Sequence, residues 1–374
     1  QTGRELSDRM ASLTESIYEA AGHPFNINSP KQLGTVLFEE MGLRVIKKTK
    51  SGYSTGAEVL EGLKNEHPAV SLLLNYRQLA KLKSTYADGL QECIAEDGRI
   101  HSTLNQTEAR TGRISSLEPN LQNIPVRTAE GRRLREYFNA PAGRVLCDAD
   151  YSQIELRVLA SMSGDANMIN AFGSGTDIHT VTASQVFGLP QDMITPELRS
   201  RAKAVNFGIV YGIGAFSLSK DIGVTRSEAD RYIKSYLAAY PGVAAYMEKA
   251  IDDAKKNGFV TTLYGRRRYI PELSNSNGNM RAFGERVARN APIQGTAADI
   301  IKIAMIKVSR SLKDEFPTAR LILQVHDELI VECDEKDAED ICTLLEREME
   351  NAADLAVRLT AEAHFGKTWL EAKA

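Results

Sequence analysis

Apolar residues change their spacing near residue 150. Val145, Leu146 and Cys147 form an uninterrupted apolar run, which predicts a buried strand. From residue 153 to residue 163 the apolar residues instead recur at helical spacing. Asp150 is therefore predicted to lie at the end of a strand, just before a helix begins.

A second acidic position interrupts a pair of strand-like runs. Residues 321–325 and 329–331 are rich in apolar and β-branched side chains, and the polar residues His326, Asp327 and Glu328 separate them. This pattern predicts a β-hairpin with Asp327 at or beside its turn.

Asp150 and Asp327 thus both adjoin strands that we expect to be buried. An ionised carboxylate costs several kcal/mol to bury alone, so such residues are paired with a cation, capped by backbone N–H groups or turned out to solvent. Each aspartate taken singly is more simply a turn or cap residue. Two strand ends of this kind are also how a pair of metal-binding carboxylates is brought together.

A helix is predicted over residues 195–212. Thr195 is suited to the N-cap and Pro196 to the first helical position, where its missing N–H costs nothing. Along this helix two cations and then two aromatic residues recur at intervals of four, so they share one face. These residues are Arg199, Lys203, Phe207 and Tyr211.

That helix face offers fixed positive charge followed by flat apolar surface. A triphosphate requires the first, and a nucleobase requires the second, since stacking on an aromatic ring contributes ~1–3 kcal/mol per base. The same residues also fit a solvated basic turn followed by an aromatic pair that faces the core.

The composition is ordinary for a folded globular protein. Of 374 residues, 43% are hydrophobic and 25% are charged, which are ordinary proportions. Strand patterns at residues 145–150 and 321–333, with helical patterns between them, predict an α+β fold. No apolar run approaches the ~20 residues of a membrane span and no leader peptide opens the chain, so we expect a cytoplasmic protein without a membrane partner.

The formal net charge of −3 does not exclude nucleic-acid binding, because the charge is segregated along the chain. Residues 99–135 contain seven Arg against three Glu, a net of +4, whereas residues 331–350 contain nine acids against two bases, a net of −7. Lys and Arg supply most of the affinity for phosphates. The net negative charge of the whole chain therefore does not rule out local contacts with nucleic-acid phosphates.

Three segments, in this order, resemble the polymerase motifs of the family A DNA polymerases, of the bacterial DNA polymerase I type. They are DYSQIELR (150–157), the R-x3-K-x3-F-x3-YG pattern (199–212) and QVHDE (324–328). The resemblance extends to TGRISSLEPNLQNIPVR (111–127), DIHTVTASQVFG (177–188) and RNAPIQGTAADIIK (289–302), and it spans essentially the whole chain.

The resemblance implies a right-hand polymerase fold with an antiparallel palm sheet, helical fingers and a helical thumb. It places the thumb at residues 1–105, the palm at 106–160 and 286–374, and the fingers at 161–285. We expect a monomeric C-terminal polymerase fragment of a longer protein, without an exonuclease domain in this chain and with a thumb truncated at its start.

The activity that the resemblance implies is nucleotidyl transfer from a deoxynucleoside triphosphate to the 3′-hydroxyl of a primer on template DNA. Two Mg²⁺ ions, which Mn²⁺ could replace, would be held by Asp150 and Asp327, by the backbone carbonyl of Tyr151 and, as a weaker candidate, by Glu328. Arg199 and Lys203 would complete the catalytic set by binding the β- and γ-phosphates.

The resemblance also implies a nucleotide site in which Glu155 excludes a 2′-hydroxyl sterically and Phe207 makes dideoxynucleotides poor substrates. Without the resemblance, the sequence favours the interpretation of Glu155 as a helix-surface acid. The expected nucleotide contacts are Ser152, Gln153, Ile154, Glu155, His179, Arg199, Lys203, Phe207 and Tyr211.

The DNA contacts that the resemblance implies fall into three groups. The asparagines and glutamines of residues 120–125 also fit a purely structural role, because such side chains often form hydrogen bonds with the backbone of an irregular loop. The expected contacts are Lys81, Ser84 and Thr85 in the thumb, Asn120, Gln122, Asn123 and Arg127 in the loop that follows, and Arg113, Arg286, Asn290, Gln294 and His326 along the minor groove.

Three other functions remain open at this point. A single-subunit RNA polymerase shares the palm arrangement, and use of ribonucleotides would distinguish it. A DNA-binding protein that retains the fold without catalysis would show no metal-dependent activity. A two-metal nuclease could use the same aspartates, but it would leave the helix face from Arg199 to Tyr211 without a role.

Overall fold

The computed structural model describes residues 2–50, 52–126 and 128–373. Its residues separate into two compact units, one of Gln1–Thr103 with Glu118–Leu134 and one of Leu104–Leu117 with Arg135–Ala374. Arg127, one of the expected DNA contacts, lies outside the described residues.

The first unit is mainly helical. Its helix α4 buries Val70, Leu73 and Tyr76 on one face at helical spacing, and that helix packs along α1. The helices are α1 (Thr2–Ala21), α2 (Pro30–Thr35), α3 (Ala57–Leu63), α4 (Pro68–Lys81), α5 (Gly89–Glu92) and α6 (Ala129–Arg133), with π-helical turns at Val36–Glu40 and Leu82–Asp88, a 3-10 turn at Leu121–Asn123, and a hairpin of β1 (Lys48–Thr49) and β2 (Gly52–Tyr53).

The second unit contains a longer set of helices around a sheet. They are α7 (Ile154–Ser163), α8 (Ala166–Gly173), α9 (Ile178–Phe187), α10 (Pro196–Val210), α11 (Ala215–Ile222), α12 (Arg226–Ala239), α13 (Pro241–Asn257), α14 (Gly278–Glu315), α15 (Ala338–Glu350) and α16 (Trp369–Ala372), with 3-10 turns at Gln191–Met193, Pro271–Ser274 and Glu335–Asp337. A further 3-10 turn, Leu134–Tyr137, begins on the last residue of the first unit.

The main sheet of this unit is antiparallel and has four strands in the order β10, β5, β9, β8. These are β5 (Arg144–Tyr151), β8 (Arg320–Val325), β9 (Glu328–Asp334) and β10 (Ala361–Gly366). Two small hairpins accompany it, β3 (Thr103–Asn105) with β4 (Ser115–Leu117) and β6 (Phe259–Thr261) with β7 (Arg267–Tyr269). The central strand β5 is buried along almost its whole length, which explains its uninterrupted apolar run.

The predicted elements around the two aspartates are confirmed. Strand β5 ends at Tyr151 and α7 begins at Ile154, while β8 and β9 flank a turn at His326 and Asp327. Helix α10 begins at Pro196, and the Leu198 backbone N–H donates to the Thr195 hydroxyl over 3.3 Å. The mixture of helices and antiparallel sheets confirms the predicted α+β class.

Within the described part of the chain, none of the helices combines the length and the apolar character needed to cross a membrane.

Candidate active site

Asp150 and Asp327 come together where the end of β5 meets the turn before β9. Asp150 stands opposite Glu328 in the register of the two strands. The Tyr151 backbone N–H donates to the Asp327 carbonyl oxygen over 3.2 Å, which ties the turn to the strand end. The structure thus places side by side the two acidic segments that are 177 positions apart in the sequence (327 minus 150).

The electrostatics of this pair suit a bound cation. Burial and the nearby charge of Asp150 raise the pKa of Asp327 to about 7. Burial also raises the pKa of Asp150, although Lys373 opposes this shift. Asp150 Oδ1 is buried and has no hydrogen-bond partner among the described residues. The two carboxylates repel each other when both are charged, and one of them has an oxygen without a partner. Such a pair is suited to bind a hard divalent ion, which prefers oxygen ligands.

Glu328 is engaged differently. Its Oε1 accepts a 2.8 Å hydrogen bond from Trp369 Nε1, and its Oε2 contacts the Lys373 ammonium. Asp148 lies beside it, 3.2 Å from the same indole nitrogen, and burial together with Glu328 raises the pKa of Asp148 to about 9. Within residues 2–50, 52–126 and 128–373, no group of three or more His, Cys, Asp or Glu side chains is arranged to hold a metal ion.

Three side chains of this cluster, Asp148, Trp369 and Lys373, were not expected from the sequence. Lys373 Nζ lies 3.0 Å from Asp150 Oδ2. Burial acts against its charge, but Glu328, Asp148 and Asp150 outweigh burial and raise the pKa of Lys373, so it is a cation at neutral pH. The only sequence signal was the single tryptophan of the chain, followed four residues later by a lysine.

The segment that joins β5 to α7 holds the expected nucleotide contacts Ser152, Gln153 and Ile154. The Ser152 N–H donates to the Thr360 carbonyl over 2.9 Å, and Ile154 is buried. Gln153 has φ of 56°, in the left-handed region that few residues other than glycine adopt. This constrained link sets the direction in which α7 leaves the sheet.

The expected phosphate-binding face of α10 is exposed at its basic end, where Lys203 is open to solvent. Arg199 is engaged by Asp177, with Nε 2.8 Å from Oδ2 and Nη2 2.9 Å from Oδ1. Burial opposes the shift, but the hydrogen bonds from Arg199 and Thr180 lower the pKa of Asp177 to about 2. Arg199 therefore already holds an anionic partner, which the sequence did not indicate.

At the aromatic end of the same face, Tyr211 does not point into the core. Phe207 and Tyr211 stack with ring centroids 6.3 Å apart and planes 18° apart, and Tyr211 is 42% exposed. The alternative of a core-facing aromatic pair is therefore wrong for Tyr211. Phe207 is half-buried, so the two rings present a partly exposed aromatic surface on which a nucleobase could stack.

Glu155, Arg113 and Tyr211 form a compact cluster. Glu155 is only 6% exposed, so the alternative of a helix-surface acid is wrong. Arg113 Nη2 lies 2.6 Å from Glu155 Oε1, and the Tyr211 hydroxyl is close enough to the same carboxylate to influence its pKa. Burial raises the pKa of Glu155 although Arg113 opposes it, and burial with Glu155 raises the pKa of Tyr211 to about 12.

His179 is not brought to the surface. It is fully buried, Asn206 Nδ2 donates to its Nδ1 over 3.1 Å, and its Nε2 has no partner among the described residues. Burial lowers the pKa of His179 to about 4, so the imidazole is neutral at pH 7. Its expected contact with a phosphate requires a rearrangement that exposes it.

The buried His179 predicts a pH-dependent stability. Above pH 6.5 the folded and unfolded chains both carry a neutral imidazole at this position. Between pH 6.5 and about 4 only the unfolded chain binds a proton, so the free energy of unfolding decreases as the pH is lowered. We expect this residue to account for a loss of roughly 2 kcal/mol between pH 7 and pH 5. Urea unfolding of the chain and of His179→Asn at both pH values measures it, and an identical loss in the variant contradicts the assignment.

The expected DNA contacts lie in both units. In the second unit Arg286, Asn290 and Gln294 follow one another at intervals of four along α14, so they share one face. His326 is exposed in the turn before β9 and has a φ of 55°. Asn290 Oδ1 is buried without a partner among the described residues, which leaves an acceptor unused on that face.

In the first unit Lys81, Ser84 and Thr85 are exposed on consecutive turns. The loop after them partly satisfies its own backbone, since the Gln122 N–H donates to Asn120 Oδ1 over 3.0 Å. The Asn123 carbonyl oxygen accepts a 2.6 Å bond from the Tyr86 hydroxyl, while the Asn123 side chain is exposed. For Asn120 the backbone-capping explanation therefore holds, and it does not preclude contact with DNA.

Comparison with known proteins decides the family. The family model described as DNA polymerase family A matches residues 1–371. The chain belongs to DNA polymerase family A. Members of this family are metal-dependent, in agreement with the fit of the aspartate pair to a cation.

Relatives in this polymerase family match along the whole chain. DNA polymerase I of Geobacillus stearothermophilus is 51% identical over 375 residues, covering 100% of this chain and 43% of the relative. DNA polymerase I of Bacillus subtilis is 52% identical over 374 residues, covering 99% and 42%. The chain thus spans less than half the length of the curated relatives that it matches.

A solved structure shares the fold. The POL domain of Pol1 from M. smegmatis, in complex with a DNA primer-template and a dNTP, superposes with a TM-score of 0.94 at 45% identity. The match covers 100% of this chain and 66% of that chain. The right-hand polymerase fold expected from the sequence is thereby confirmed.

Proposed function

We propose that this chain is the polymerase part of a template-directed DNA polymerase that acts in DNA replication or repair. It adds deoxynucleotides to a primer 3′-hydroxyl and releases pyrophosphate. The observation that carries this proposal is the pairing of Asp150 with Asp327 at the end of the central sheet, with an unused buried oxygen on Asp150. The protein would act as a monomer in the cytoplasm.

Asp150 and Asp327 would hold two Mg²⁺ ions, for which Mn²⁺ could substitute, with the Tyr151 carbonyl as a further ligand. When bound, such ions supply Lewis-acid stabilisation of the attacking and leaving oxygens in phosphoryl transfer. Glu328 would contribute indirectly, because its two oxygens are already engaged by Trp369 and Lys373.

The chain's own residues would bind and orient the substrates. Lys203 and Arg199 would bind the β- and γ-phosphates, Phe207 and Tyr211 would pack against the sugar and base, and Glu155 would fill the space of a 2′-hydroxyl. Phe207 lacks a hydroxyl that could replace a missing 3′-hydroxyl, so Phe207→Tyr should improve the use of dideoxynucleotides.

The remaining assignments follow the same family resemblance. The thumb would be residues 1–105, the palm 106–160 and 286–374, and the fingers 161–285. The primer-template would be held by the exposed polar residues of the first unit and by the α14 face of Arg286, Asn290 and Gln294, together with Arg113 and His326.

Substitution of Arg199 and substitution of its partner Asp177 should change the affinity for deoxynucleotide in opposite directions. Arg199→Ala should weaken deoxynucleotide binding by about tenfold or more, because a charge-assisted hydrogen bond contributes ~1.5–3 kcal/mol. Asp177→Asn should strengthen binding by about threefold or more, because the guanidinium is released from a competing carboxylate. Equilibrium binding to a complex with a dideoxy-terminated primer measures both without turnover.

Matched variants make this comparison specific. The side-chain oxygen of asparagine can still accept the hydrogen bond that the Thr180 N–H donates to Asp177, so Asp177→Asn preserves the N-cap of α9. Arg201→Ala removes a neighbouring guanidinium that pairs with Glu197, and it should leave the affinity for nucleotide within about twofold of the parent. Weaker binding by Asp177→Asn would show that the carboxylate orients Arg199 instead of competing for it.

Primer extension tests the proposed function against the alternatives. A 5′-labelled primer on a DNA template should lengthen with four deoxynucleotides and Mg²⁺, and chelation by EDTA should stop it. Shortening of the primer instead of extension would indicate a nuclease. Binding of the duplex without any change in length would indicate a non-catalytic DNA-binding protein, and efficient extension with ribonucleotides would favour an RNA polymerase.

A further inference from the structure

The candidate active site already contains a cation of the chain itself. Lys373 Nζ lies 3.0 Å from Asp150 Oδ2 and also contacts Glu328 Oε2. The side chains of Lys373, Glu328 and Asp150 are 29%, 5% and 45% exposed, so the contact with Glu328 is largely withdrawn from water and the contact with Asp150 is partly solvated. Solvent therefore screens the ammonium least at Glu328, and at 3.0 Å it is still a counter-charge for Asp150.

The position of Lys373 is set by α16, which it follows directly as the C-cap residue. Thr368 and Glu371 form a reciprocal capping box at the start of α16. Trp369 is 1% exposed, its ring packs edge-on against Phe138 at 5.5 Å, and the Arg135 guanidinium lies 4.7 Å from its centroid. Its Nε1 donates to Glu328, so the same helix fixes both partners of the contact.

The two oxygens of Asp150 have different environments. Oδ2 is bound to the lysine, whereas Oδ1 is buried and has no partner among the described residues. A divalent ion could therefore use Oδ1 while the ammonium stays, but it would experience repulsion from a fixed positive charge bound to the same carboxylate. Use of both oxygens would require the ammonium to withdraw to Glu328 alone.

We propose that Lys373 is a positioning residue that acts as a built-in counter-ion, holding Asp150 and Glu328 in the metal-free protein and competing with the divalent ion for Asp150. This inference rests on the proposed function, because it takes Asp150 as a metal ligand. It follows that removal of the lysine charge should strengthen the binding of a divalent ion at Asp150 in the nucleotide-free chain.

Binding of Mn²⁺ to the nucleotide-free chain tests this inference, with free Mn²⁺ counted by electron paramagnetic resonance. Lys373→Met should bind Mn²⁺ about tenfold more tightly than the parent, since one positive charge within a few ångströms is removed. Lys373→Arg, which keeps the charge, should restore the weaker binding. Lys367→Met removes an equal charge from an exposed pair with Glu335 and should bind like the parent.

Trp369 supplies a second readout that does not require turnover. It is the only tryptophan of the chain, and its indole N–H donates to Glu328. Titration with Mg²⁺ should change its fluorescence at a lower concentration in Lys373→Met than in the parent. The same emission reports whether each variant is folded. If Lys373→Met does not fold, Lys373→Gln, which also removes the charge, takes its place in both titrations.

The failure of this inference can be distinguished from failure of the proposed function. If Lys373→Met or Lys373→Gln binds Mn²⁺ no more tightly than the parent, while Asp150→Asn abolishes binding, the counter-ion role is overturned and the metal site stands. If Asp150→Asn binds Mn²⁺ as well as the parent, the metal site is misplaced and the proposed function loses its support. The inference is confirmed if Lys373→Met binds Mn²⁺ more tightly than the parent while Lys373→Arg binds it as weakly as the parent.

Discussion

Asp150→Asn and Asp327→Asn should each slow primer extension by about a thousandfold or more while leaving duplex binding intact. Each substitution keeps the shape of the side chain but removes a charge that would hold the catalytic ions, and such ions contribute several kcal/mol to the transition state. Single-turnover extension of a labelled primer, with Mg²⁺ in excess, measures the effect.

Stability measurements separate this catalytic effect from unfolding. Because burial and the nearby charge of Asp150 both raise the pKa of Asp327, the folded chain disfavours that charge, and Asp327→Asn should be at least as stable as the parent at pH 8. Asp340→Asn removes an exposed acid from the first turn of α15 and should extend primers normally. Near-normal extension by either active-site variant would remove the aspartate pair from the mechanism.

Glu155→Ala should increase the use of ribonucleotides relative to deoxynucleotides by roughly a hundredfold or more. The carboxylate is buried between Arg113 and Tyr211, so its removal opens a space large enough for a 2′-hydroxyl. The ratio of kcat/KM for the two nucleotide types, measured by single insertion on the same template, gives the size of the effect.

Glu155→Gln distinguishes exclusion by size from exclusion by charge. Glutamine has the same volume but cannot form the ion pair with Arg113, so selection against ribonucleotides should persist if it is steric. If Gln and Ala admit ribonucleotides equally, the negative charge and its partner are responsible. If neither variant admits them, Glu155 does not face the sugar.

The elements that position the aspartates were predictable because local patterns determine them. The apolar run before Asp150 and the helical spacing after it correspond to β5 and α7, and the polar break at His326 and Asp327 corresponds to the turn between β8 and β9. Helix α10 begins where Thr195 and Pro196 predicted, since a cap and a proline act within a single turn.

The charged partners of those residues were not predictable from local patterns. Lys373 meets Asp150 across 223 positions of sequence and Asp177 meets Arg199 across 22, and no periodicity encodes such contacts. The burial of His179 likewise depends on the packing of α9 against α10. These features arise from tertiary contacts, which a single sequence does not specify.

Single-nucleotide insertion tests the central claim most directly. The chain is mixed with Mg²⁺ and four primer-templates that differ only in the first unpaired template base, and each deoxynucleotide is supplied alone. The account predicts that each template accepts its complementary nucleotide with strong preference and that one pyrophosphate is released per insertion. Insertion that ignores the template base, or stable duplex binding with no insertion at all, would contradict it.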